Sequence, residues 1–190
     1  YGGGIYCYES NSSLLDVTIT NNSATDGGGI YCSSSSPSLV NVTVSGNSAT
    51  DGGGIYCSSS NPSLENVTIT NNSTNGYGGG IYCYESNSSL LDVTISANSA
   101  TYKGGGIYCS SSSPNLENVT ITNNSTNGYG GGVYCLNNSI PSFSIENRCN
   151  IYSNNITNRG RGADIYAFNC ETIDVVVDTF TVMIPTNYHA

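Results

Sequence analysis

The string Gly2-Gly3-Gly4-Ile5-Tyr6-Cys7 decides the fold, because it returns at a fixed interval. It begins again at Gly27, Gly52, Gly78 and Gly104, and returns as Gly-Gly-Gly-Val-Tyr-Cys at Gly130. The steps are 25, 25, 26, 26 and 26 residues. A second element, Val-Thr-Ile-Thr or a close variant, begins at Val17, Val42, Val67, Val93 and Val119. Self-similarity at a period of about 20–50 residues marks a solenoid, propeller or array. A helical repeat needs more than about 30 residues and an apolar helix face, and a leucine-rich repeat needs several leucines per unit. Each unit here offers only short alternations of β-branched and aromatic residues at period 2. The reading is an all-β chain forming a single right-handed parallel β-helix, a β-solenoid of about seven coils with 25 or 26 residues per coil. At about 4.8 Å per coil the rod is roughly 35 Å long.

Alternation assigns the faces. Ile5 and Cys7 share one side of their strand and Tyr6 takes the other. Val17 and Ile19 share a side, with Thr18 and Thr20 opposite. The apolar set must point inward, which predicts a core of stacked Ile, Cys, Val and Leu. Its cysteine column is Cys7, Cys32, Cys57, Cys83, Cys109 and Cys135. The expected exterior carries a tyrosine ladder of Tyr6, Tyr31, Tyr56, Tyr82, Tyr108 and Tyr134. Asn follows the second strand at a fixed place, at Asn22, Asn47, Asn72, Asn98, Asn124 and Asn154. Amides stacked about 4.8 Å apart can hydrogen-bond along the column and satisfy corner backbone groups. The reading is an Asn ladder at one corner, with the Gly triplets serving another where a positive φ or close approach is needed.

Gly-Gly-Gly-Ile paired with Ile-x-x-Asn (Ile19 to Asn22, Ile69 to Asn72, Ile121 to Asn124) resembles the GGAI and FxxN repeats of polymorphic outer-membrane proteins. More closely, it resembles the right-handed β-helix repeats of large secreted bacterial surface proteins. The likeness covers about residues 1–170, with Gly in place of Ala and Ile or Val in place of Phe. It implies secretion and a passenger or stalk role at the cell exterior.

Composition excludes whole classes of function. The chain has 23 Gly, 30 Ser, 26 Asn and 18 Thr, together 97 of 190 residues. Charged residues make up 9%, against roughly 25% in an ordinary soluble domain. The net charge is −9, with Lys103, Arg148, Arg159 and Arg161 the only basic residues. Nucleic-acid binding needs clustered Lys and Arg, and an anionic membrane is disfavoured for the same reason. No apolar run approaches the roughly 18–20 residues of a membrane helix. The chain lacks an initiator Met and reads as a processed product or a fragment.

Regular coils are expected over 1–136, and degenerate coils with terminal strands of the same domain over 137–190. Ile145-Glu-Asn-Arg-Cys-Asn-Ile151 aligns with Leu64-Glu-Asn-Val-Thr-Ile69 if one residue is inserted, which puts Cys149 in a core Val position. Gly162-Ala-Asp-Ile-Tyr166 is a worn form of the repeat. Thr172–Ile184 is the most apolar stretch and reads as a final strand pair over the last coil, or as the lead into a further domain.

Zinc sites need close pairs such as Cys-x2-Cys, and no two cysteines here are that close. The readings left for the thiols are a buried column filling the core, or disulfides between neighbouring coils. Cys149 with Cys170 is the expected bridge. The pairs Thr18/Thr20, Thr43/Ser45, Thr68/Thr70, Thr94/Ser96 and Thr120/Thr122 make a two-column hydroxyl array that resembles the ice-binding face of β-solenoid antifreeze proteins. The plainer reading is that Thr suits exposed strand sites. Asp16, Glu65, Asp92 and Glu117 lie beside the second strand. A polysaccharide lyase would need a calcium cluster and a basic residue as base, and a hydrolase would need paired acids. These four read as a solvated acidic edge, and His189 as exposed tail. No catalytic residue, cofactor or metal is expected. The function read from the sequence is a non-catalytic extracellular rod, part of a surface stalk or adhesin or a subunit stacking end to end into a fibre. Its expected partners are copies of itself or the remainder of a larger surface protein, with no nucleic acid and no membrane insertion. The alternatives are a carbohydrate-binding or pectate-lyase-like solenoid, for which a glycan is the partner, and an ice-binding protein.

Overall fold

The computed structural model describes residues 1–144, 146–158 and 160–170. One coil carries the logic of the rest. In the third, the strands are Ile55–Ser58, Ser63–Glu65, Thr68–Thr70 and Ser73–Thr74. They are short because a left-handed residue bends the chain after each: Ser59 at φ 47°, Asn66 at 52°, Asn71 at 56° and Gly78 at 67°. Asn, Asp and Gly visit this region at the least cost, since a short polar side chain can bond locally and Gly has no Cβ. The corner of Asn66 is held in other coils by Asp16, Asn41, Asp92 and Asn118, all at positive φ. The abundance of Asn, Ser and Gly is therefore the means of turning four corners per coil.

The sequence reading placed two strands in each coil, and the structure has four in the second to the sixth. The Ser-Leu segments between those two are strands such as Ser38–Val40 and Ser89–Leu91. A fourth strand of two residues, such as Ser48–Ala49, is too short to show a period. Stacking of the coils makes four parallel sheets of seven, six, six and five strands. The tyrosine sheet runs from Ile5–Tyr8 to Ile165–Phe168, and the threonine sheet from Thr18–Thr20 to Asn150–Tyr152. Like pairs with like in register: Ile81 with Ile55 and Ile107, Cys83 with Cys57 and Cys109, Leu90 with Leu64 and Leu116. The molecule is a right-handed parallel β-helix.

The core is a column of identical layers. In the second coil Ile30, Cys32, Leu39, Val42 and Val44 are all buried. Burying each aliphatic side chain contributes about 2 kcal/mol. Ile5, Leu14 and Val17 in the first coil are only partly buried, because their strands have a neighbour on one side alone. The middle Gly of each triplet lies against the next coil. A Cβ on Gly79 would stand 2.4 Å from the Gly105 carbonyl oxygen and 2.6 Å from that of Ser99. The triplet thus supplies a positive φ at its first residue and close backbone approach at the second.

Thr172–Ile184 and His189 lie outside the described residues. Among those described, no helix is long and apolar enough to cross a membrane.

Candidate functional face

Two ladders hold the corners. Each buried Asn binds upward, downward and inward. The Nδ2 of Asn72 donates to Asn98 Oδ1 at 3.0 Å and to the Val44 carbonyl at 3.0 Å. Its Oδ1 accepts from the backbone N–H of Asn47 at 3.0 Å and from Asn47 Nδ2 at 3.0 Å. The pattern runs from Asn22 through Asn47, Asn72, Asn98 and Asn124 to Asn154, where Asp164 Oδ1 accepts the last amide at 2.9 Å. Sequence reading missed a second ladder, of serines. Ser35, Ser60, Ser86 and Ser112 each donate Oγ–H to a carbonyl two residues back and accept a backbone N–H from the adjacent coil. Its signal was present, a Ser two residues past each of the first five tyrosine strands, but the Ser-rich background hid it.

The six column cysteines are buried and free. Thiol hydrogen bonds from Cys32 and Cys83, then burial, push Cys57 well above its ordinary value. Cys135 and Cys83, then burial, do the same to Cys109. The expected bridge between Cys149 and Cys170 does not form, and both are free thiols. They stand at different corners. Cys149 takes the Val position ahead of the threonine sheet and its Sγ donates to the Leu116 carbonyl at 3.4 Å. Cys170 follows the tyrosine strand, in the place that Ser60 and Ser86 hold, and donates to the Phe168 carbonyl at 3.6 Å. No group of three or more His, Cys, Asp or Glu that could hold a metal occurs among the described residues.

The tyrosines point away from the cysteines, yet the ladder is not simply exterior. Tyr6 is 51% exposed, whereas Tyr108 is 6% and Tyr134 only 2% exposed. Two contacts cause this. The rings stack on one another, with centroids 5.0 Å apart for Tyr31 and Tyr56, 4.4 Å for Tyr56 and Tyr82, and 4.9 Å for Tyr82 and Tyr108. In addition, Tyr1, Tyr77, Lys103 and Tyr129, each ahead of a Gly triplet, lean on the ladder ring of the following coil. Tyr77 lies 5.1 Å from Tyr108, and the Lys103 ammonium lies 4.7 Å from the Tyr134 centroid and donates to its hydroxyl at 3.1 Å. Burial first, then nearby negative charge and neighbouring phenols, pushes Tyr56, Tyr82 and Tyr108 well above the ordinary tyrosine value.

The remaining candidates are spread out. Thr18, Thr43, Thr68, Thr94 and Thr120 form one in-register outward column. Thr20, Ser45, Thr70, Ser96 and Thr122 form the second, which runs from exposed Thr20 to Thr122 at 8%. Asp16 accepts from Asn41 Nδ2 at 2.9 Å, Asp92 accepts from Asn118, and Glu117 accepts from Asn147. These carboxylates serve corner hydrogen bonds between coils.

The right-handed β-helix region family matches residues 1–173, and the chain belongs to that family. Comparison with curated proteins and with solved structures gave no match.

Proposed function

We propose that the chain is a non-catalytic rod segment of an extracellular surface protein, a stalk or adhesin in which the solenoid acts as spacer and scaffold. The observation that carries this reading is where the polar side chains go. The Asn and Ser columns, and the carboxylates of Asp16, Asp92 and Glu117, bond to equivalent positions one coil away. Polar groups spent on axial cohesion stiffen a rod and are not free to act as acid, base or nucleophile. The likeness of the Gly-Gly-Gly-Ile and Ile-x-x-Asn units to bacterial surface-protein repeats supports the location. In this reading the partners are the rest of a larger surface protein, or copies stacked end to end as a fibre. Incubation of the chain with pectin, alginate and related polymers tests it. No rise in reducing ends or unsaturated products is expected, and turnover abolished by Asp16→Asn or Glu65→Gln overturns the reading. A carbohydrate-binding solenoid is the second reading. It is favoured by exposed rings at Tyr8 and Tyr84, three coils apart on the tyrosine sheet with Ser33 and Ser58 between them. A glycan array separates the two.

A further inference from the structure

We infer that the tyrosine ladder is a path for one-electron oxidising equivalents, and that Tyr102 is where they leave it, as an oxidative coupling site toward a second copy of this chain. Two observations carry this. The first is continuity. Tyr6, Tyr31, Tyr56, Tyr82, Tyr108 and Tyr134 stack ring on ring, with successive centroids 5.5, 5.0, 4.4, 4.9 and 5.3 Å apart and planes 2–21° from parallel. Aromatic pairs sit about 4.5–7 Å apart, and these lie at the short end of that range. The chain has no Trp, so phenols and thiols are its best one-electron donors. A vacancy on one ladder phenol therefore always has an equivalent donor against its face. The second observation is a branch in mid-rod. Tyr77 lies 5.1 Å from Tyr108 and 5.6 Å from Tyr102. Tyr108 is buried and Tyr102 is 56% exposed, so these two contacts join a buried ring to solvent. Tyr84 and Tyr152 are also exposed, but among the described residues neither has a ring contact with the ladder.

Lys103 turns the path at Tyr108. Its ammonium donates to the Tyr134 hydroxyl at 3.1 Å, and a positive charge beside a phenol opposes loss of its electron. The vacancy goes instead to Tyr77 and Tyr102. The oxidant is a one-electron acceptor outside the chain, of the class of a high-valent peroxidase haem or a photo-oxidised metal complex. It takes one electron from a phenol whose hydroxyl proton passes to water, which leaves a phenoxyl radical. The next phenol then gives up one electron and its hydroxyl proton, and the first recovers one of each. Among the described residues the buried side-chain oxygens and nitrogens without a partner are those of Ser88 and Thr122, so each ladder hydroxyl has water or a partner for its proton. At Tyr102 two phenoxyls, one from each copy, join through ring carbons ortho to oxygen. The two displaced ring hydrogens move to the oxygens and restore phenols. The coupled pair has then lost two electrons to the oxidant and two protons to water.

A photo-oxidant tethered far from Tyr102 tests the path. Tyr8→Cys in a C149S/C170S background supplies one accessible thiol, since the column cysteines are buried. A ruthenium tris-bipyridine group attached there sits beside Tyr6, whose ring lies 6.4 Å from that of Tyr8. Tyr102 is about four coils away, roughly 19 Å. The protein is flashed with persulfate as final electron acceptor, radicals are trapped with nitroso-tert-butane, and the adducts are mapped by mass spectrometry. Adducts at Tyr102 are expected, and none at Tyr84 or Tyr152. Without the trap, covalent dimers joined through Tyr102 should form. Y82F keeps a ring in the stack but removes its phenol, and should lose the Tyr102 adduct while keeping the one at Tyr6. Y77F should do the same, and Y84F should change nothing; unchanged circular dichroism confirms that each variant is folded. Four results would each overturn the proposal. They are Tyr102 adducts undiminished in both Y82F and Y77F, adducts at Tyr84 and Tyr152 as abundant as at Tyr102, radicals that stay at Tyr6 or collect on the column cysteines, and Tyr102 adducts with no dimer when the trap is left out.

Discussion

Asn98 shows what one side chain contributes in a solenoid. It is fully buried, accepts two hydrogen bonds from Asn72 at 3.0 Å each, and donates to the Ile69 carbonyl at 2.9 Å and to Asn124 at 3.0 Å. Asn98→Ala leaves the Asn72 backbone N–H and one N–H of the Asn72 amide without partners where water does not reach. Each orphaned group costs about 1–3 kcal/mol, so a loss of about 3 kcal/mol is expected. Asn22 holds the equivalent place in the first coil but is only half-buried, with Nδ2 bonds of 3.1 Å to the Thr20 carbonyl and to Asn47. Water can replace those partners, and Asn22→Ala should cost under about 1 kcal/mol. Denaturant midpoints of the two variants check the pair. Equal losses would mean that the ladder does not depend on being dry.

Columns behave as elements here, and the two inner and outer columns of the tyrosine sheet respond to different reagents. The ladder phenols are held neutral, since burial, the largest cause, and nearby charge raise Tyr56, Tyr82 and Tyr108 above their ordinary value of 10.0. A raised folded value means that the stabilisation is present in full below the unfolded value. It is lost as pH climbs through the folded one. The expected result is a flat stability curve up to about pH 10, followed by a step in which phenolate absorbance rises as the β-sheet circular dichroism falls. Phenolate appearing without any loss of β signal would show that the ladder adds nothing to stability. On the inner side, Cys32, Cys57, Cys83, Cys109 and Cys135 are 0–1% exposed, whereas Cys149 and Cys170 are only half-buried. The thiolate is the reactive form and needs access to the reagent. A neutral disulfide reagent should therefore label Cys149 and Cys170 first and the column only on unfolding. Prompt labelling of all the cysteines in the folded protein would contradict a sealed core.

At the scale of the whole molecule, the period and the two alternating strands were legible from Gly2–Cys7 and Val17–Thr20 alone, because one residue type per layer repeats its own environment. The Asn column was legible for the same reason. The Ser ladder was not, since Ser fills every corner and only its spacing is informative. The column of Tyr1, Asp26, Asp51, Tyr77, Lys103 and Tyr129 was also unread, because chemistry so varied shows no period until the coils are stacked. The stacked arrangement further implies that coils are removable units. Deleting residues 78–103 joins Tyr77 to Gly104, which continues the triplet as Gly78 did. Cys57 then meets Cys109, Leu64 meets Leu116 and Asn72 meets Asn124, so every inner column closes on its own kind. Solenoid stability is close to a sum of unit and neighbour terms, and each unit touches only the units beside it. The shortened chain should fold with the same circular dichroism per residue and be shorter by about 4.8 Å in solution scattering. Deleting only residues 78–90 joins Tyr77 to Leu91 and sets the threonine strand where a tyrosine strand must pair. That displaces apolar residues from the core face and should prevent folding. If the whole-coil deletion unfolds the chain, or the half-coil deletion folds equally well, the coil is not the cooperative unit of this rod.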